Sequence, residues 1–179
     1  MVFVIGIGIG IGKVRYKLPE WCLHNICFVF VYPYISYGLE IYSNIYVTYL
    51  NKLTTLNNKF LCVLQRKSPR CCTTCFYTQY NTLPPAQLFT CHVINLVYKV
   101  LYSPFVLPST FQQYFVLSNS IHQCRTRYNK LSVPQPVSRF GRRSLKFKGP
   151  QFSNRLPNEL TDITSSNSFS KTLKYIFDL

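Results

Sequence analysis

Between Glu40 and Glu159 the chain carries no acidic side chain. The whole sequence has five, Glu20, Glu40, Glu159, Asp162 and Asp178, against 20 lysines and arginines. A two-metal polymerase or nuclease centre needs clustered carboxylates around cations about 4 Å apart. A glycosidase needs a facing carboxylate pair. The first Asp is residue 162, so no such set exists upstream of Glu159 and chemistry that needs clustered carboxylates is nearly excluded. The cations are uneven too. Residues 1–64 hold five bases and two acids, residues 65–148 twelve bases and no acid, and residues 149–179 three of each. Eight bases fall within one short segment: Arg125, Arg127, Lys130, Arg139, Arg142, Arg143, Lys146 and Lys148. Such a segment repels itself unless an anion covers it, and nucleic acid is the obvious partner. The plainer reading is a solvated basic surface.

With 179 residues, of which 47% are hydrophobic and 16% aromatic, the chain is too apolar to be wholly disordered. It suits one domain, or one domain with a tail, and could bury roughly two thirds of its unfolded surface. The eight cysteines are Cys22, Cys27, Cys62, Cys71, Cys72, Cys75, Cys91 and Cys124. Met1–Gly12 lacks the basic start and the cleavage site of a secretory signal. The thiols are therefore expected to be reduced, and the protein intracellular, nuclear or cytoplasmic. Cys72, Cys75, Cys91 and His92 can be drawn as a zinc set, but adjacent Cys91 and His92 on a helix diverge by about 100°. The apolar run 26–35 contains Pro33 and falls short of the roughly 20 residues of a membrane span, so no membrane partner is expected.

Glycines 6, 8, 10 and 12 alternate with isoleucine, but no dinucleotide fingerprint or phosphate loop fits their spacing. Residues 1–12 read as low-complexity sequence. Pro19-Glu20 opens a helix that should run to about Val31, with Pro33 kinking or restarting it. Leu50, Leu53, Leu56, Phe60 and Leu64 make a helical stripe ended by Ser68-Pro69. A further helix starts at Pro84-Pro85 and carries Leu88, Phe89, Val93, Leu96, Val97 and Val100 on one face. A short helix is expected around 109–115. Ser168 is the expected cap of a last helix bearing Phe169, Leu173, Ile176 and Phe177. Ser118 to Lys148 reads as extended, polar and basic. Leu145 and Phe147 alternate with Ser144, Lys146 and Lys148 as in a strand that turns its cations outward. Gly141 and Gly149 would permit close backbone approach, and Phe140, Phe147 and Tyr128 would offer rings for stacking. His122 and Cys124 make a poor thiol dyad, having no third group to orient them.

These segments, taken in order, resemble the C-terminal part of the reverse transcriptase polyprotein of non-LTR (LINE-like) retrotransposons, over nearly the whole chain from about Ile9. Residues 12–19 look like the segment just after the palm. Tyr32-Pro33-Tyr34-Ile35-Ser36-Tyr37-Gly38-Leu39-Glu40 is similar to the family's PYLxYGxExW stretch. Residues 61–67 sit where the family has LxxLQNKAIR, and His122 through Arg127 parallels HxYNTR. Gly141-Arg142-Arg143-Ser144, Gly149-Pro150 and Asn154-Arg155-Leu156-Pro157 parallel GKRSxxYxGPxxWNxLP. Tyr42 and Ser153 stand where the family has tryptophan, as in a degenerating copy.

The resemblance implies a mainly α fold. A helical thumb-like region would span 13–117, a basic extended segment 118–157 and a C-terminal helix 158–179. The family's aromatic-x-Asp-Asp catalytic box would lie upstream of Met1. The chain is therefore expected to have no catalytic residues, no metal site and no cofactor of its own, although the parent polymerase would use Mg. Its expected partners are the template–primer RNA or DNA backbone, held by the eight cations above, and the upstream polymerase domain. The alternative is a relic with no maintained activity.

Overall fold

The computed structural model describes residues 13, 16–37, 39, 47–68, 71–103, 107–111, 113–118, 130–157, 160, 163 and 165–178. These residues are mainly helical, as expected. Helix α1 (Glu20–Ile26) runs through a π turn (Cys27–Val31) into α2 (Tyr32–Ser36). Then come α3 (Val47–Leu64), α4 (Thr74–Gln79) and α5 (Pro85–Tyr102). Two 3-10 turns, Ser109–Phe111 and Gly141–Arg143, precede α6 (Leu145–Ser153) and α7 (Ser166–Asp178). Among the described residues the β structure is one antiparallel bridge, Leu117 to Leu131. The chain forms two compact units, Met1–Leu88 and Phe89–Leu179, so the second begins inside α5.

In the first unit Leu23, Cys27, Val31 and Ile35 are buried at strict four-residue spacing. A plain α-helix would let that stripe drift, because its period is 3.6. The π turn corrects the drift by taking the wider i→i−5 bond, Tyr32 N–H to Cys27 carbonyl. It also meets the expected disturbance at Pro33, whose nitrogen has no hydrogen to donate. The stripe packs on Phe60, Leu61, Cys62 and Leu64 of α3 and on Phe76 and Tyr77 of α4. The Tyr77 hydroxyl donates to Asn58 Oδ1 at 2.5 Å and accepts from Asn57 Nδ2 at 3.1 Å. Burial pushes the Tyr77 phenol above its usual pKa and the Cys27 thiol up to about 12.

Cys62 and Cys71 are joined as a disulfide, which corrects the expectation that every thiol is reduced. The bridge closes the turn between α3 and α4. Eight cysteines permit many pairings, and spacing alone did not select this one.

In the second unit the Tyr98 ring of α5 stacks on Phe169 of α7, with centroids 4.0 Å apart. The Tyr98 hydroxyl donates to the Ile163 carbonyl at 2.6 Å. Ser170 Oγ donates to Asn95 Oδ1 at 2.9 Å. Helix α7 begins at Ser166, two residues before the expected cap, and buries Phe169 and Leu173 of its expected face. Among the described residues near 109–115, where a short helix was expected, Ser109–Phe111 form a 3-10 turn.

The larger correction concerns residues 145–153, read from the sequence as extended and found as α6. Ser144 has extended φ/ψ and its carbonyl accepts from the Phe147 and Lys148 amides, at 3.1 and 3.0 Å, so it begins the helix. Burial decides the conformation. Gly149 and Pro150 are both buried. A Cβ on Gly149 would come within 2.7 Å of the Phe115 ring and 3.0 Å of Val97. Glycine and proline are poor helix interiors, but here their small backbone surface lets α6 lie against that core. Gly149 thus serves close packing rather than approach to a phosphate.

Candidate nucleic-acid interface

Residues 130–148 form the site around an arm pinned on both sides. On one side Ser118 N–H donates to the Lys130 carbonyl at 2.9 Å and Ser132 N–H to the Val116 carbonyl at 2.8 Å. On the other, the Asn154 side chain acts as a surrogate strand. Its Oδ1 accepts from Leu131 N–H and its Nδ2 donates to the Leu131 carbonyl, both at 2.9 Å. Leu131 itself is buried with Val97, Val100 and Phe115.

From there Ser132 to Val137 runs without helix into the turn at 141–143. A Cβ on Gly141 would fall 2.8 Å from Pro136 Cβ, so the arm closes on the turn through a glycine. Ser138 Oγ accepts from Gly141 N–H at 3.0 Å, and Ser144 Oγ donates to the Gly141 carbonyl at 2.7 Å. The loop carrying the cations is thereby fixed by short hydrogen bonds from two serines.

The expected cations divide into three groups. Lys130, Arg139, Arg142 and Lys146 are exposed. Arg143 and Lys148 are half-buried. Arg125 and Arg127 lie outside the described residues, as do Tyr128, His122 and Cys124. The Lys148 ammonium sits 5.0 Å from the centre of the Phe89 ring. Burial first, and then the Arg143 charge, hold its pKa below the usual lysine value. The two cations thus lie near one another on the loop. Phe140 is 76% exposed, while Phe147 is half-buried.

A hollow of about 490 Å³ opens beside them, lined by Val133, Pro134, Gln135, Pro136, Arg142 and Phe147. The residues that build it, Asn154 above all, escaped the sequence reading as structural parts. Asn154 acts on a residue 23 positions away, and no local pattern signals such a bond.

Among the described residues no group of three or more His, Cys, Asp or Glu side chains could hold a metal ion. Of the drawn zinc set, Cys72 and Cys75 are exposed and Cys91 is buried. Hydrogen bonding to Thr74 lowers the Cys72 pKa. No described helix is long and apolar enough to cross a membrane. No family model, curated protein or solved structure matches the chain.

Proposed function

We propose that the chain binds nucleic-acid backbone through residues 125–148. It would do so as a non-catalytic, thumb-and-tail piece of a transposon-encoded reverse transcriptase. The observation that carries this reading is the fixed loop from Arg139 to Lys148, which leaves Arg139, Arg142 and Lys146 exposed in a stretch with no acid between residues 41 and 158. Phosphates are the anions such an array fits, because each neutralised phosphate releases a counterion. The helical region 13–117 is the part that would correspond to the thumb, which grips a template–primer without contributing carboxylates.

The test is the salt dependence of binding by the full chain. On duplex DNA the slope of log K against log salt is about −0.9 per phosphate neutralised, so the four exposed cations give about −3 to −4 and all eight about −7. A measured slope in that interval supports the reading. A flat dependence, or no binding at low salt, favours the alternative of a relic with no retained activity.

A further inference from the structure

The hollow beside the basic loop has a lining that bare phosphate does not need. Val133, Pro134 and Pro136 form an apolar wall, and Phe147 contributes a ring. Gln135 adds an amide that both donates and accepts, and Arg142 adds a guanidinium. The hollow, about 490 Å³, is an open depression, so a ligand would lie against its lining and keep one side in solvent.

We propose that this hollow takes one unpaired nucleotide of a single-stranded nucleic acid, its base against Phe147 and the 133–136 wall and its phosphate on Arg142. The proposal rests on the reading that the basic loop binds nucleic acid, and it names which form is preferred. A lone phosphate would use Arg142 and leave the apolar lining wet. A hydrocarbon chain would leave the cations at 139, 142 and 146 unanswered. A nucleotide uses both parts, because every base offers a flat apolar face beside a charged backbone. A duplex keeps its bases stacked and paired, so it reaches the cations and leaves the hollow empty.

The site is also built in advance. Asn154 holds the wall at Leu131, Gly141 admits Pro136, and the Ser138 and Ser144 hydroxyls set the turn that carries Arg142. Little order has to be created on binding, which favours affinity.

The experiment titrates the full chain with a short fluorescent oligothymidine and, separately, with a duplex of the same length. The single strand should bind more tightly, and Phe147→Ala should weaken it by roughly tenfold, the scale of losing one base–aromatic stack. Duplex affinity should stay within about twofold, because phosphate contacts alone serve it. Arg142→Gln should weaken both and make the salt slope shallower by about one unit. Phe147→Trp keeps a stacking ring, so it should retain the preference, and its fluorescence should be quenched by the single strand and not by the duplex. That variant decides the matter if Phe147→Ala does not fold. Equal affinity for both forms with no quenching overturns this inference and leaves the backbone-binding reading standing. Failure of the unmodified chain to bind either form overturns both.

Discussion

Two side chains show how much a single residue can carry here. Asn154 satisfies both backbone groups of buried Leu131, a task normally given to a neighbouring strand. Asn154→Ala leaves a donor and an acceptor without partners, each costing about 1–3 kcal/mol. A loss of about 2–3 kcal/mol is expected in urea unfolding, together with weaker oligonucleotide binding as the arm loosens. Thr82 presents the opposite case. Its hydroxyl is buried and has no hydrogen-bond partner among the described residues, and Thr82 lines a cavity of about 10 Å³ together with Asn57 and Phe60. Thr82→Val has nearly the same shape, so it should raise stability by about 1 kcal/mol. A lower midpoint in chemical denaturation would show that the hydroxyl has a role the packing does not reveal.

At the scale of elements, the ends of the helices matter as much as their stripes. Helix α3 ends with Arg66 at φ 52° and α4 ends near Asn81 at φ 49°. In each case the next amide bonds back five residues, Lys67 to Cys62 and Thr82 to Tyr77, both at 2.9 Å. Glycine is the usual occupant of that left-handed position. Asn81→Gly should therefore stabilise by about 0.5–1 kcal/mol, read as a rise in melting temperature. Arg66→Gly should gain less, because Arg66 Nη2 also donates to the Leu18 carbonyl at 2.7 Å and that bond is lost. Helix α6 has no room to spare. Gly149→Ala should destabilise by about 1–3 kcal/mol, since the new methyl meets Phe115. Along α1 to α2 the face opposite the core shows Trp21, Val29, Phe30 and Tyr34 exposed, whereas Phe28 and Tyr32 are half-buried. The Phe28 ring packs against His24, Tyr32 and Tyr80.

For the molecule as a whole, stability should depend on alkaline pH and on redox state. The Cys27 thiol is pushed by burial from 9.0 to about 12, and burial also raises the Tyr77 and Tyr80 phenols. Each group stays protonated longer folded than unfolded. Their contribution is therefore complete below the unfolded pKa and is lost as pH rises from about 9 towards about 12. Urea midpoints should fall across that window, and Cys27→Ala should flatten the fall. The Cys62–Cys71 bridge spans a separation of 9 residues. Closing so short a loop is worth about 2–3 kcal/mol, so reduction should lower stability by that amount.

The sequence by itself determined the mainly helical character, the stripes of α3, α5 and α7 and the acid-free basic stretch, because periodicity and charge are local or additive properties. Tertiary structure decided the rest. Only packing against Phe115 and Val97 turned 145–153 from an apparent strand into a helix. The four-residue core stripe found its π turn, Cys62 found Cys71, and Asn154 found Leu131 through contacts between distant positions. The hollow beside Arg142 exists for the same reason: its wall and its ring come from an arm and a helix that meet only when the chain is folded.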